Sequence, residues 1–323
     1  MAIADRKFSA GIIGCGNIGF FQGHKKNRKG ALNHFKAIKD SKDFELKAIT
    51  EIDKKKREMI KGKYSVPTFS NYQEMLTDYP VDLIVVATPD ETHDTLLLEI
   101  LHHHPRVVFS EKPLATNLET VNKIINSYDE ANVGLQVNYS RRYIQNFWDI
   151  KTMIDSGNLG AIQSIVIYYN RGLVHNGTHF IDLVLWYFGM PDEIFTESTN
   201  TCHFPNDITA SVRFVFSNGM QVKLIGLDIK LLGMEEIDII GSKGRVRINH
   251  DLKQETYRIT DHAIYSGFKQ FTLIEEKRIK NEYAIPNGLQ NISDWLNKKK
   301  KYLLSPASNS REIFNIIAAI ENK

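Results

Sequence analysis

Three groups of residues have the types and spacing to do chemistry. The first is Gly14-Cys15-Gly16-Asn17-Ile18-Gly19, a GxGxxG turn directly after an apolar run. In such a turn the first glycine permits a tight reversal, the second lets backbone approach a pyrophosphate, and the third lets the next helix pack closely. A strand before it and a helix after it point to a bound dinucleotide, touched by Gly14, Gly16, Asn17, Ile18 and Gly19. The second group is Glu111-Lys112-Pro113, following Val107-Val108-Phe109-Ser110. A lysine leaving a strand of an open α/β sheet faces the ligand crevice, whereas a proline-closed surface turn would leave it solvated. The third runs from His175 through Asn176-Gly177-Thr178 into His179-Phe180-Ile181-Asp182. His179 and Asp182, at i and i+3, share one face of a helix that is otherwise apolar to Phe188, and buried polar groups there need partners. They read as a satisfied core pair or as a catalytic histidine oriented by a carboxylate. Gly177 is expected to leave His175 ahead of the helix, so the ligand count for zinc stays incomplete and no metal is expected.

The elements that must position these residues are legible in the periodicity. Apolar runs at Ala10-Ile13, Phe44-Ile49, Asp82-Ala87, Arg106-Ser110 and Val133-Val137 alternate with helix-sized segments. That rhythm predicts a doubly wound parallel sheet in an N-terminal Rossmann domain over residues 1–138. The second strand ends at Thr50-Glu51-Ile52-Asp53, where Glu51 can accept both ribose hydroxyls and favours NAD. Lys54, Lys55, Lys56 and Arg57 follow and leave NADP open. Gly19 and Glu51 stand further apart than the usual interval of about 20 residues, so a basic insertion is expected at residues 22–30. Thr88-Pro89 with His93 end the third long strand and line the cofactor cleft.

From residue 139 to 323 the pattern becomes longer alternating strands, as in Ala210, Val212, Phe214 and Phe216 opposite Ser211 and Arg213. An α/β domain with a large open, mainly antiparallel sheet is expected, turned at Ser217-Asn218-Gly219 and Gly241-Ser242-Lys243-Gly244. The sheet's second face, to which Ile165, Ile167, Tyr169 and Ile225 are assigned, is a candidate for subunit association. The final helix, with Ile313, Ile316, Ile317 and Ile320 at helical spacing, is placed to pack back on the first domain.

The chain has 323 residues, 42% hydrophobic and 24% charged, and a net charge of +3. Its interspersed charges exclude a nucleic-acid groove, and its two cysteines, Cys15 and Cys202, exclude a disulfide framework. A soluble, cytoplasmic protein without a membrane span is expected.

Read together, Gly14-x-Gly16-x-x-Gly19, Ala87-Thr88-Pro89 with His93, Glu111-Lys112-Pro113-Leu114-Ala115, Asn138 with Arg141-Arg142-Tyr143, Ser156-Gly157-Asn158-Leu159-Gly160 and Gly177-Thr178-His179-Phe180-Ile181-Asp182 give the chain its resemblance. It resembles the glucose-fructose oxidoreductase, inositol dehydrogenase and MocA family over nearly its full length. The resemblance implies NAD(P)-dependent oxidation or reduction of a sugar, polyol or nucleotide-activated sugar by a homodimer or homotetramer joined through the C-terminal sheet. It makes Lys112 and His179 the groups acting on the reacting hydroxyl, with Glu111 and Lys112 beside the cofactor and Asn138, Arg142, Tyr143 and Asn176 at the substrate. Many members carry Asp where this chain has His175, so either Asp182 orients His179 or His175 takes part directly. A sensor that binds NAD without turnover and an NAD-dependent glycoside hydrolase are the alternatives.

Overall fold

The structure, a computed structural model, describes residues 7–23, 30–201 and 207–321. The core of the expected basic insertion, residues 24–29, and Cys202 lie outside the described residues. Contacts divide the chain into two compact units, Met1–Tyr143 with Asn281–Arg311 and Ile144–Lys280 with Glu312–Lys323.

The first unit alternates strands and helices: β1 (Phe8–Ile13), α1 (His34–Asp40), β2 (Phe44–Thr50), α2 (Lys54–Tyr64), β3 (Thr68–Phe69), α3 (Tyr72–Asp78), β4 (Leu83–Val86), α4 (His93–Glu99), β5 (Val107–Ser110), α5 (Leu118–Glu130) and β6 (Gly134–Val137). The six strands are all parallel in the order β3-β2-β1-β4-β5-β6. Strand order therefore reverses at β1 and β4, which puts a crevice at the carboxyl ends of those strands. β4 and β5 are buried at every residue, which is why they read as unbroken apolar runs rather than alternating ones.

The glycine turn departs from expectation. It opens a five-residue π-helical turn, Asn17–Phe21, and not a full helix. Gln22 closes that turn by donating to the Asn17 carbonyl, and Gly23 at φ +79° then takes the chain away. α1 starts only after the insertion, where the Asn33 side chain accepts the Lys36 N–H and caps it.

The second unit comprises α6 (Gln145–Asp155), β7 (Ile162–Tyr169), α7 (Thr178–Phe188), β8 (Glu193–Thr201), β9 (Ile208–Val215), β10 (Gln221–Gly226), β11 (Glu236–Gly241), β12 (Gly244–Ile248), β13 (Lys253–Asp261) and β14 (Lys269–Arg278). They form an eight-stranded sheet in the order β14-β13-β12-β11-β7-β10-β9-β8, antiparallel except where β7 meets β10. α6 and α7 pack through Trp148 against Trp186, and the Tyr187 hydroxyl donates to the Phe147 carbonyl.

The register corrects one assignment. Ile165, Ile167 and Tyr169 lie on the buried face of β7, paired alongside Val222 and Leu224 of β10, and not on the open face. The residues that alternate with them, Val166 and Tyr168, are only partly buried, as is Ile225. Both rows of β7 are apolar, so the two-residue period could not say which row the core covers.

The chain ends with α8 (Ala284–Leu296) and α9 (Ser308–Glu321). α8 is grouped with the first unit because Ile285, Leu289, Ile292 and Leu296 fill its core beside Phe109 and Tyr143. A single division after residue 138 would leave that helix in the second domain. Most of α9, the helix expected on the first domain, is grouped with the second unit.

Candidate functional site

In the first unit the candidate residues converge because parallel strands end on one edge. Gly14 follows β1, Glu51 follows β2, Thr88 follows β4, Glu111 and Lys112 follow β5, and Asn138 follows β6. Gly14 adopts φ +94°, and a Cβ there would stand 2.5 Å from the Ala87 carbonyl oxygen. A Cβ on Gly19 would come within 2.2 Å of the Gly14 oxygen. Neither position tolerates another residue without moving backbone. A Cβ on Gly16, by contrast, would meet nothing within 4 Å, so the backbone there borders open space of the kind a pyrophosphate needs. Asn17 is exposed beside it and Ile18 partly buried. The turn fits a dinucleotide, although the short π-helical turn supplies less axial dipole than a full helix would.

Glu51 is 6% exposed and holds this turn together. Its carboxylate accepts the Cys15 N–H at 3.0 Å and the Asp53 N–H at 2.9 Å. Lys56 Nζ lies 3.9 Å away. Arg57 donates to the carbonyls of Glu51 and Ile52, so its guanidinium is already committed to the loop. Ile52 is 85% exposed next to Glu51 and offers an apolar surface that the sequence reading did not single out. Burial, and then the Glu51 charge, push the Cys15 thiol well above its ordinary range despite nearby Lys56.

The Lys112 turn is braced from three sides. Glu111 N–H donates to the Val86 carbonyl, the Ser110 hydroxyl donates to the Glu111 carbonyl, and the Lys112-Pro113 bond is cis. His93 was expected at the cofactor, yet its ring is fully buried. Nδ1 lies 2.7 Å from the Pro113 carbonyl and Nε2 3.2 Å from that of Thr88. Whichever nitrogen carries the hydrogen, the ring bonds into the loop, so His93 ties two strand ends together instead of meeting a ligand. The Thr92 hydroxyl adds a bond to Thr88 Oγ1, next to exposed Pro89.

Glu111 also turns inward. One carboxylate oxygen lies 2.7 Å from His34 Nε2 and accepts from Asn138 Nδ2 at 2.7 Å. Burial raises this carboxyl, but the bond and charge of His34, the Asn138 bond and the Lys112 charge outweigh it and hold Glu111 below its ordinary value. Glu111 Oε1 and the Asn138 amide nitrogen are therefore committed to this internal network. His34 is the residue sequence reasoning missed; a histidine opening an amphipathic helix carries no signal of a partner 77 residues away. Tyr143 is likewise a core residue: it is buried, donates to the Val137 carbonyl and meets Phe109 edge-on, because the 3-10 turn Ser140–Tyr143 points it inward. Arg142 is partly buried in the same turn.

In the second unit, His175 is not ahead of the helix as expected. Leu173–Gly177 form a π-helical turn continuous with α7, Gly177 having helical dihedrals. π-Helical turns concentrate at functional sites. Asp207 accepts the N–H groups of Val174 and His175 at 3.0 and 2.9 Å and so anchors the turn. Burial raises the Asp207 carboxyl, the turn's backbone donors opposing it. Asn176 is buried and donates to the Asn170 carbonyl and the Glu235 carboxylate. His179 is partly buried in the first turn of α7, and Asp182 is buried one turn on. Among the described residues no group of three or more His, Cys, Asp or Glu side chains could hold a metal ion. No described helix is long and apolar enough to cross a membrane.

Comparison with known proteins agrees with this architecture. Residues 8–139 match the model of an oxidoreductase family with an NAD-binding Rossmann fold, GFO_IDH_MocA. Myo-inositol 2-dehydrogenase of Thermotoga maritima is 23% identical over 273 residues, covering 78% of this chain and 78% of that protein. Inositol 2-dehydrogenase 1 of Mycolicibacterium vanbaalenii is 39% identical over 88 residues, which span only 27% of this chain and 25% of that protein. The WlbA dehydrogenase of Bordetella pertussis, solved with NADH and UDP-GlcNAcA, superposes with a TM-score of 0.75 at 19% identity, covering 98% of this chain and 96% of that one. With the glycine turn and strand order described above, residues 8–139 form an NAD-binding Rossmann domain similar to that of the Gfo/Idh/MocA oxidoreductases, and the two-sheet architecture is shared with the solved structure.

Proposed function

We propose that the protein moves a hydride between a nicotinamide cofactor and a hydroxyl-bearing carbon of a sugar, polyol or nucleotide-activated sugar. The observation that carries the reading is the convergence of the glycine turn, Glu51 and Lys112 at the carboxyl ends of β1, β2 and β5. Gly14, Gly16, Asn17, Ile18 and Gly19 would hold the pyrophosphate and Glu51 the ribose, with Thr88 and Pro89 along the crevice. Bound there, the nicotinamide supplies the hydride acceptor or donor. The buried Glu51 carboxylate favours NAD over NADP, a preference strengthened because Arg57 is spent on backbone carbonyls.

In the direction of oxidation, His179 takes the hydroxyl proton as general base, a task suited to an imidazole near neutral pH. Lys112 stabilises the alkoxide developing on the same carbon. Arg142 and Asn176 orient substrate hydroxyls, Asp182 orients His179, and His175 replaces the family's common Asp in a turn that presents it four residues before His179. Relatives and neighbours named for inositol, or solved with a nucleotide sugar, support this substrate class. We further infer a cytoplasmic homodimer or homotetramer joined across the open face bearing Val166, Tyr168 and Ile225.

The test is an NADH assay on inositols, sugars and nucleotide sugars, run with wild type and Lys112→Ala. Turnover by wild type, and its loss in the variant with NADH binding retained, is expected. NADH binding without turnover on any compound would favour a sensor, and product release without net NADH a glycoside hydrolase.

A further inference from the structure

His34 has no role in the reaction just proposed, yet it is built into the element beneath Lys112. It opens α1 beside the Asn33 cap, is wholly buried, and meets Phe109 edge-on with ring centroids 5.1 Å apart. Its Nε2 lies 2.7 Å from Glu111 Oε1, the same oxygen that accepts from Asn138 Nδ2. A carboxylate only accepts, so Nε2 carries a hydrogen. Nδ1 is a buried ring nitrogen with no hydrogen-bond partner among the described residues, and Asn138 Oδ1 is a buried acceptor without one. Bare buried polar atoms are costly. An apolar ring against Phe109 would pack without that cost, so the distinct contribution of the imidazole is the hydrogen bond it gives Glu111.

The backbone of the same turn is held elsewhere, at Glu111 by the Val86 carbonyl and at Pro113 by His93. What remains adjustable is the Glu111 side chain, which is either held inward or free to swing toward the neighbouring lysine. We infer that His34 is a positioning residue: by holding the Glu111 carboxylate turned into the core, it keeps that carboxylate from being redirected onto the neighbouring Lys112 ammonium and so sets the surroundings in which Lys112 acts. Two donors reached from separate elements, α1 and the end of β6, keep one carboxylate oxygen in place. The inference rests on the reading that Lys112 acts on the reacting hydroxyl.

Two variants separate positioning from packing. His34→Phe fills the space without a donor, and His34→Gln keeps an N–H of similar reach; His34→Met replaces the phenylalanine variant should that one lack a native melting transition. Acetylation of Lys112 by N-hydroxysuccinimidyl acetate, read by peptide mass spectrometry against exposed Lys54, needs no substrate. Its relative rate should change by roughly threefold or more in His34→Phe and return to the wild-type rate in His34→Gln, as expected when a charge-assisted bond is removed and restored. On the compound that the substrate panel identifies, kcat should fall about tenfold in His34→Phe, with the KM for NAD+ within about twofold and kcat recovered in His34→Gln. An unchanged Lys112 labelling rate in His34→Phe, or equal loss of kcat in both variants, overturns the inference. Turnover retained by Lys112→Ala overturns the reading of Lys112 instead, and leaves the labelling result decisive for His34.

Discussion

Glu51→Gln probes the cofactor end of the site most directly. The two carboxylate oxygens each accept one backbone N–H, from Cys15 at 3.0 Å and from Asp53 at 2.9 Å. Glutamine keeps the shape and one oxygen, so one of those N–H groups must face an NH2 that cannot accept. Loss of one such bond to a buried charged acceptor costs about 1.5–3 kcal/mol, seen as lower stability in urea unfolding. Cys15 lies inside the glycine turn, so the same change loosens the pyrophosphate cradle and removes an acceptor for ribose. NADH affinity should therefore fall roughly 10- to 100-fold, which is about 1.4–2.8 kcal/mol. The cations stay while the anion goes: Lys56 Nζ, 3.9 Å from the carboxylate, loses its partner. NADPH should accordingly weaken less than NADH, and the ratio of their Kd values should move toward NADPH by about tenfold. Fluorescence titration of both nucleotides measures this in the unmodified and variant proteins. If Glu51→Gln binds NADH as tightly as wild type, with the NADPH ratio unchanged, Glu51 does not face the ribose and the assignment fails.

Gly19→Ala should abolish NADH binding and lower the melting temperature, because the new methyl would stand 2.2 Å from the Gly14 carbonyl oxygen; full binding with an unshifted melt would contradict the turn described. Iodoacetamide at pH 8 should leave Cys15 unmodified in the native protein and alkylate it in urea, since burial and the Glu51 charge disfavour the thiolate; peptide mapping reads this out, and rapid native alkylation would show the site to be open. Glu111 is held below its ordinary pKa, so its contribution to stability is present above the unfolded value of about 4.3 and drains away as pH falls through the folded value. Urea melts from pH 7 to pH 3 should therefore show an acid loss of stability that Glu111→Gln reduces; identical slopes in both proteins would mean that the carboxyl is not stabilised as described. Asp207→Ala should destabilise the second unit by about 1–3 kcal/mol, as two N–H groups of the turn carrying His175 lose their acceptor, and an unchanged melt would show the turn to be held otherwise.

How much of this was legible beforehand depends on the range of the interaction. Local rules sufficed for the five long strands of the first sheet, each found within a residue or two of its expected place. The same rules sufficed for the hairpin turns of the second sheet, Gly219 adopting the positive φ such turns use. They also put Lys112 just past the end of β5: in a parallel sheet every strand ends on the same side, so a residue's position after its strand locates it at that edge. Local rules failed where two answers were equally consistent. β7 carries apolar residues on both faces, and only its pairing with β10 and β11 shows that Ile165, Ile167 and Tyr169 are inside. Gly177 suggested a break, yet it continues a π-helical turn into α7 at helical dihedrals.

The sequence by itself determined the doubly wound class, the glycine turn, the acid at the end of β2 and the lysine at the end of β5. These follow from periodicity and from what each backbone position sterically permits, and both are properties of neighbouring residues. Only the tertiary structure decided that His93, Glu111 and Tyr143 face the core, that α8 completes the first unit, and that His34 reaches Glu111. Those outcomes depend on which groups meet after the chain has closed on itself. A buried polar side chain is bound to seek a partner, but its own surroundings in the sequence do not name it.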